Sequence, residues 1–424
     1  MPARDVAKSD SNLDAVAGVP LRLAVICHGR FHLFELAGAL AKLGHDVTLY
    51  TMYPPWYCRR FGLTKVKIVP ALHLAALVAL YKIRLPQSLR YRLSHHWNVS
   101  FGKWAAARIA KQPKYHAVLS MTGVALECFE QLPPGTLKVL HRGSIHIREQ
   151  RLVLEAEEVK VGRPVDKPMD ANIAREEAEY GIADLVHVLS SQSLASFTNR
   201  LPAMTRLHRI GLGVDTSRFS ATPIQVTERQ DRFQGATKLR ILGVGTFSHR
   251  KGARLWDEFL SQPESEQFQI RFVGDVNTDA REIAHKHKER VEFIPRVHQH
   301  KLPEHYAWAD IFCILSVEDG FPAVVPQALA SCVPVVVAPG CGGTDMLTNN
   351  VNGWILSSHT IQALNATFEQ IQNSRSHIIE MIGQMSSQIL TYDWKHTAHS
   401  VIANISSCAD TTDTPAHVKN KSSA

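Results

Sequence analysis

Cysteine is scarce in this 424-residue chain, and the seven present (Cys27, Cys58, Cys128, Cys313, Cys332, Cys341 and Cys408) are odd in number, scattered and never spaced as Cys-x-x-Cys. That pattern excludes a disulfide framework and a cysteine zinc site, and it fits a reducing compartment. No two Asp residues stand two positions apart, so an Asp-x-Asp metal clamp is missing. His285 with His287 and His298 with His300 lack a His-Glu-x-x-His or Cys partner pattern, and they read as solvated faces. Neither a Gly-x-Ser-x-Gly elbow nor a Walker A loop occurs.

Long apolar runs are also missing. The longest, 68–85, is interrupted by Pro70, His73, Lys82 and Arg84, which makes it too short and too polar to span a bilayer. A buried helix is expected there, with a place on a membrane surface as the alternative. No apolar run precedes residue 20, so no secretory leader is expected. Charged residues make up 20% and hydrophobic residues 45%, the balance of a globular chain. The formal charge is +8. No Lys/Arg block reaches the density that nucleic-acid binding requires, so no nucleic-acid partner is expected. A phosphorylated ligand, anionic lipid or a plain basic surface remain.

The length suits two domains. The first half opens with an expected strand at 21–27, then a loop, 28–32. An amphipathic helix follows, with Leu33, Leu36, Ala37, Leu40 and Leu43 at helical spacing, and Gly44 ends it before a strand at 47–51. Further strands are expected at 117–121, 137–141 and 185–189. The pattern loosens over 201–219. A second series places strands at 239–244, 269–273, 291–294, 311–315 and 333–338. Its helices fall near 254–260, 280–290, 303–309 and 322–331, and the closing helices at 361–384 and 394–405. Alternation of strand and helix over both halves predicts two doubly wound α/β domains, 20–205 and 206–391. The helix 392–405 would return to the first domain, and 1–19 and 406–424 would be loose tails. Ligands in such sheets sit beyond the carboxyl ends of the strands.

Every notable motif follows a strand. Gly243–Gly252, Gly-Val-Gly-Thr-Phe-Ser-His-Arg-Lys-Gly, leaves one strand and enters a helix. Free amides at a helix start attract anions, and Arg250 and Lys251 beside them suit a diphosphate. The dinucleotide fingerprint fits poorly, because Ser248 stands where a third Gly belongs. Ser316–Pro334 turns from a buried strand through Glu318-Asp319-Gly320-Phe321 into a helix containing Gln327. A carboxylate and an amide side chain there suit sugar hydroxyls, with helix capping as the plain alternative. Pro339–Asp345 supplies a glycine-rich turn, in which Asp345 is either a polar contact or a cap. His141 ends a strand and can orient a sugar.

Together these residues resemble glycosyltransferase family 4, a retaining family with the GT-B fold of two facing doubly wound Rossmann-like domains and an interdomain cleft. The resemblance runs over 21–405. It rests on Gly213-Val-Asp-Thr-Ser-Arg-Phe219, Ala183-Asp184, Gly245 to Lys251-Gly252, Asp319-Gly-Phe to Gln327-Ala-Leu-Ala, Gly342-Gly343 with Asn352-Gly353, and Tyr392-Asp-Trp394. It implies that Arg250 and Lys251 neutralise the leaving diphosphate, that Asp319 holds donor-sugar hydroxyls, that Gln327 reaches the ribose and that His141 lies near the reacting carbon. Gly245, Glu318, Gly320, Phe321, Gly343, Asp345, Gly29 and Arg30 complete the implied donor site. No metal and no cofactor are implied beyond the nucleotide sugar. The implied acceptor is a glycan or a lipid-linked glycan, at a cytoplasmic location compatible with docking to anionic lipid at the inner membrane face. Three departures stand out. The usual Glu-x7-Glu pair is Asp319 and Gln327, Thr246 replaces a common Arg, and His28-Gly-Arg-Phe31 has one Gly where relatives have several. An epimerase or phosphorylase on the same fold, or a non-catalytic binder, are the alternatives.

Overall fold

The computed structural model describes residues 19–74, 87–235, 238–387 and 393–412. Part of the expected apolar helix at 68–85, the outer parts of both tails and Tyr392 lie outside the described residues.

The first sheet has seven parallel strands: β1 (Arg22–Ile26), β2 (Asp46–Thr51), β3 (Lys67–Pro70), β4 (Ala117–Met121), β5 (Leu137–Arg142), β6 (Leu185–Val188) and β7 (Arg206–Arg209). Their order is β3-β2-β1-β4-β5-β6-β7. The second sheet has six, also parallel: β8 (Leu239–Val244), β9 (Phe268–Val273), β10 (Val291–Ile294), β11 (Ile311–Ile314), β12 (Val335–Val337) and β13 (Gly353–Ile355), in the order β10-β9-β8-β11-β12-β13. Central strands such as β4 and β11 are buried at every position, because helices cover both faces of a parallel sheet. That burial is why their sequences are mostly apolar, with Ser120 the one polar side chain in β4.

The chain order reverses between β1 and β4 in one sheet and between β8 and β11 in the other. These switch points open crevices at the strands' carboxyl ends. The loop 28–32 follows β1, while the turns 245–252 and 315–321 follow β8 and β11, so the expected motifs stand at the crevices.

The helix His32–Lys42 buries Leu33, Leu36, Ala37 and Leu40 and packs against β1 and β2, and the closing helix Trp394–Thr412 packs against it. The closing helix runs seven residues past the expected end at 405 and buries Cys408, so 406–412 is helix rather than tail. The first sheet reaches Arg209, which moves the change of domain beyond 205. The single helix expected at 361–384 is two, Ile361–Asn373 and Arg375–Ser387, broken at Ser374. Among the described residues no helix is long and apolar enough to cross a membrane.

Candidate functional site

Gly245 leaves β8 with φ +136, a left-handed region that only glycine adopts easily. Ser248 then organises a tight turn: its carbonyl accepts from the amides of Lys251 and Ala253, both at 3.0 Å. The Gly252 amide donates to His249. This corrects the expected open helix start, since these three amides are committed inside the turn. What the turn presents outward is side-chain charge. Gly252 (φ +89) has no room for a side chain, because a Cβ would lie 2.1 Å from the Leu315 carbonyl. That close approach seats the basic turn on the acidic one, and the Val317 amide donates to the Arg250 carbonyl at 2.9 Å.

The two turns then pair charge for charge. The Lys251 ammonium meets the Asp319 carboxylate, and Arg250 meets Glu318 at 2.8 Å. Arg250 and Lys251 keep 32% and 30% of their side-chain surface exposed. Asp319 is further pinned by its amide to Gly340 and by its carbonyl to Gly342. Neither acid caps the following helix, Val324–Ala330, whose N-cap is Ala323 without a side-chain bond.

Two cavities with shared lining residues lie beside the turns; Lys251 and Asp319 line the smaller, and Arg250 lines neither. The smaller, about 290 Å³, is lined by Gly245, Thr246, Lys251, Asp319 and Phe321. The larger, about 1060 Å³, shares Gly245, Thr246 and Phe321 and extends between the domains to Gln327, Arg30 and His32. Gln327 accepts from the Tyr306 hydroxyl at 3.1 Å through Oε1. The guanidinium of Arg30 sits 3.9 Å from the Phe61 ring centre and donates to Glu35 and, across the cleft, to Gln299. Burial raises the Glu35 carboxyl, against the pull of the Arg30 charge.

Several expected contacts fall elsewhere. Glu318 has no exposed side-chain surface and turns into the first domain, away from both cavities. Burial acts to raise its pKa, but Arg250 and the Ser144 hydroxyl outweigh that and hold it below its ordinary value. Asp345 accepts from the Ser191 amide and from Arg209, both at 2.7 Å, and so ties the two domains together. Gly343 packs on Val325 and Pro322, and Gly29 lies under Phe31. Gly320 abuts Gly143 and Ser144 backbone to backbone.

His141 is wholly buried and lines neither cavity. Its Nε2 faces His187 Nδ1 at 3.2 Å, its Nδ1 has no partner, and the His32 ring lies 5.5 Å away. Burial, then the neighbouring His187 and His32, push its pKa well below the ordinary histidine value. His32 is the imidazole that lines the cleft, with a buried, unpartnered Nε2 and a pKa lowered to about 4 by burial. Sequence reasoning passed over His32, and also over Asp275 and Arg296, which line the larger cavity just past β9 and β10. The carboxyl-end rule, applied to every strand, points to the latter two. Among the described residues no group of three or more His, Cys, Asp or Glu is placed to hold a metal ion. All seven cysteines are buried, and no disulfide joins any two of them.

Residues 225–385 match the family model described as Glycosyl transferases group 1. Among curated proteins, the chain is 22% identical over 226 residues to the GDP-mannose-dependent alpha-(1-6)-phosphatidylinositol monomannoside mannosyltransferase of Mycobacterium tuberculosis, covering 50% of this chain and 58% of that one. The chain spans about half the length of the curated relatives it matches. Among solved structures, sucrose-phosphate synthase of Thermosynechococcus elongatus superposes with a TM-score of 0.67 at 16% identity, over 92% of this chain and 100% of that one. HepE of Anabaena, in complex with UDP, gives 0.60 at 16% identity over 91% and 100%. The second domain thus matches the glycosyl transferases group 1 model, and the chain as a whole has the GT-B fold.

Proposed function

We propose that the protein transfers a sugar, with retention and without a metal, from a nucleotide-diphosphate sugar to a glycan or lipid-linked acceptor in the interdomain cleft. One observation carries this: two cations and two carboxylates meet at the switch point of the second sheet, where Lys251 and Asp319 line a cavity of about 290 Å³ that shares Gly245, Thr246 and Phe321 with the interdomain cavity of about 1060 Å³. In the ligand-free arrangement the carboxylates balance Arg250 and Lys251. A diphosphate, with two or more negative charges, competes for the same donors. As the sugar–phosphate bond breaks, negative charge builds on the leaving phosphate, and preorganised cations stabilise it more in the transition state than in the ground state. Asp319 next to Lys251 is then placed to accept donor-sugar hydroxyls, and Gln327 keeps an amide for the ribose. The similarity of the second domain to group 1 transferases supports the same reading.

The reading extends to place and partner: a cytoplasmic enzyme in peripheral contact with an anionic membrane. Its support is the charge pattern of the first domain. From residue 47 to 126 the chain carries twelve Lys or Arg and no Asp or Glu. Trp56 and Leu72, in the same stretch, are 66% and 52% exposed. Exposed aromatic and apolar groups among unopposed cations are the chemistry of an interfacial surface.

The test is a thermal-shift and turnover screen with UDP, GDP, ADP and their sugars. Stabilisation by one nucleotide, with release of that nucleotide when an acceptor is present, supports the assignment. An epimer released without acceptor, or tight binding without turnover over an acceptor panel, contradicts it.

A further inference from the structure

Glu318 pairs with Arg250, the chain neighbour of the cavity-lining Lys251, yet it makes its other bonds in the opposite domain. Its Oε1 accepts from the Ser144 hydroxyl and from the Ile145 amide at 3.4 Å. Its Oε2 accepts from the Gln150 side-chain amide at 2.8 Å and from Arg250 Nε at 3.1 Å. Gln150 is in turn held by Arg142, which donates to its Oε1 at 2.7 Å and pairs with Glu176 at 2.9 Å. A continuous buried path therefore runs Glu176–Arg142–Gln150–Glu318–Arg250, from the core of the first domain to the basic turn of the second. Alongside it the backbones touch, since a Cβ on Gly320 would lie 2.4 Å from Ser144 Cα.

This carboxylate cannot be neutral bystander packing. A buried charge is tolerated only when its acceptor positions are filled, and three of the four donor groups that fill them belong to the first domain. If the domains part, Ser144, Ile145 and Gln150 leave together, and Glu318 keeps only Arg250. When they meet, the carboxylate is saturated, and it fixes Arg250 through Nε and Nη2. Nη1 remains without a partner among the described residues, on a side chain that still has 32% of its surface exposed.

We propose that Glu318 is a positioning residue that couples closure of the two domains to the orientation of Arg250 toward the leaving diphosphate. The proposal rests on the transferase reading above. Glu318 itself touches no substrate. It holds the Arg250 guanidinium in place only in the closed arrangement, so that the electrostatic stabilisation of the leaving group arrives together with the exclusion of water.

The experiment measures donor turnover with UDP-glucose and GDP-mannose, taking whichever the wild-type enzyme uses, for Ser144→Ala, Glu318→Gln and the double variant. Melting temperature is recorded for each. Loss of a positioning contact used in the transition state lowers kcat and leaves KM nearly alone. The expected fall in kcat is about 10-fold for Ser144→Ala and about 100-fold for Glu318→Gln, with the donor KM within about threefold. The double variant should be no slower than Glu318→Gln alone, because both changes break one path. Should Glu318→Gln not fold, Ser144→Ala combined with Gln150→Ala takes its place, with the same non-additivity expected. An active wild type whose variants lose melting temperature but keep kcat, or whose effects on kcat simply multiply, overturns this proposal and leaves the transferase reading standing. A wild type that neither binds UDP or GDP nor turns over either donor overturns both.

Discussion

Lys251 and Asp319 form an ion pair across two neighbouring turns of the second domain, and the lysine keeps 30% of its side-chain surface exposed. Arg250 and Glu318 pair one residue earlier on each turn, but there the carboxylate has no exposure at all. Two adjacent pairs of the same chemistry thus sit in different dielectric surroundings. The difference separates what each cation does for catalysis from what it does for folding.

Lys251→Ala removes a half-open pair worth about 1 kcal/mol or less. Its melting temperature should stay near that of the wild type, while transfer falls about 10²–10³-fold through loss of a leaving-group contact. Arg250→Ala strips the counter-charge from a buried carboxylate and should destabilise by roughly 2–3 kcal/mol as well as reduce turnover. Thermal unfolding and steady-state kinetics on the two variants distinguish them.

Asp345 joins the domains through the Ser191 amide and Arg209, and it lines neither cavity. Asp345→Ala should therefore leave nucleotide affinity within about threefold, since losing a part-exposed ion pair costs about 1 kcal/mol or less. Its expected signature is a wider distribution of domain separations in solution scattering. A large loss of nucleotide affinity by calorimetry would return Asp345 to the donor site.

His187 is fully buried, and burial, then His208 and His32, depress its pKa to about 3. Its unfolded value is near 6.5, so the unfolded chain binds the proton first. The stability gained from keeping it neutral is complete above pH 6.5 and is lost as pH falls from there toward about 3, at about 1.4 kcal/mol per pH unit for one proton. Measuring melting temperature against pH for the wild type and for His187→Gln should show a shallower acid slope in the variant. Identical slopes would contradict this.

The central strands of both sheets were legible because burial on most positions keeps their sequences mostly apolar, as in Ala117-Val-Leu-Ser-Met121 and Ile311-Phe-Cys-Ile314. The strands 117–121 and 239–244 fall where the sequence placed them, and so does one outermost strand, 291–294. The strands the sequence did not reveal, β3, β7 and β13, are all outermost in their sheets. There the runs shrink to Lys-Ile-Val-Pro, Arg-Leu-His-Arg and Gly-Trp-Ile, half-polar or three residues long. The pairing of the basic and acidic turns was legible as position, since each follows a strand at a switch point. Which acid faces the cavity was not. Glu318 and Asp319 are neighbours with the same charge, and only the contact of Gly320 with Gly143 and Ser144 decides that Glu318 turns inward. His32 and His141 pose the same problem, because two histidines from distant segments compete for one lining position and burial chooses His32.

A crystal structure of the protein with a bound nucleoside diphosphate tests the assignment most directly. The expected result is a terminal phosphate within hydrogen-bond reach of both Arg250 and Lys251, with the ribose near Gln327. A diphosphate held instead at the far end of the larger cavity, by Arg218 and Lys395 and out of reach of Arg250 and Lys251, would contradict it.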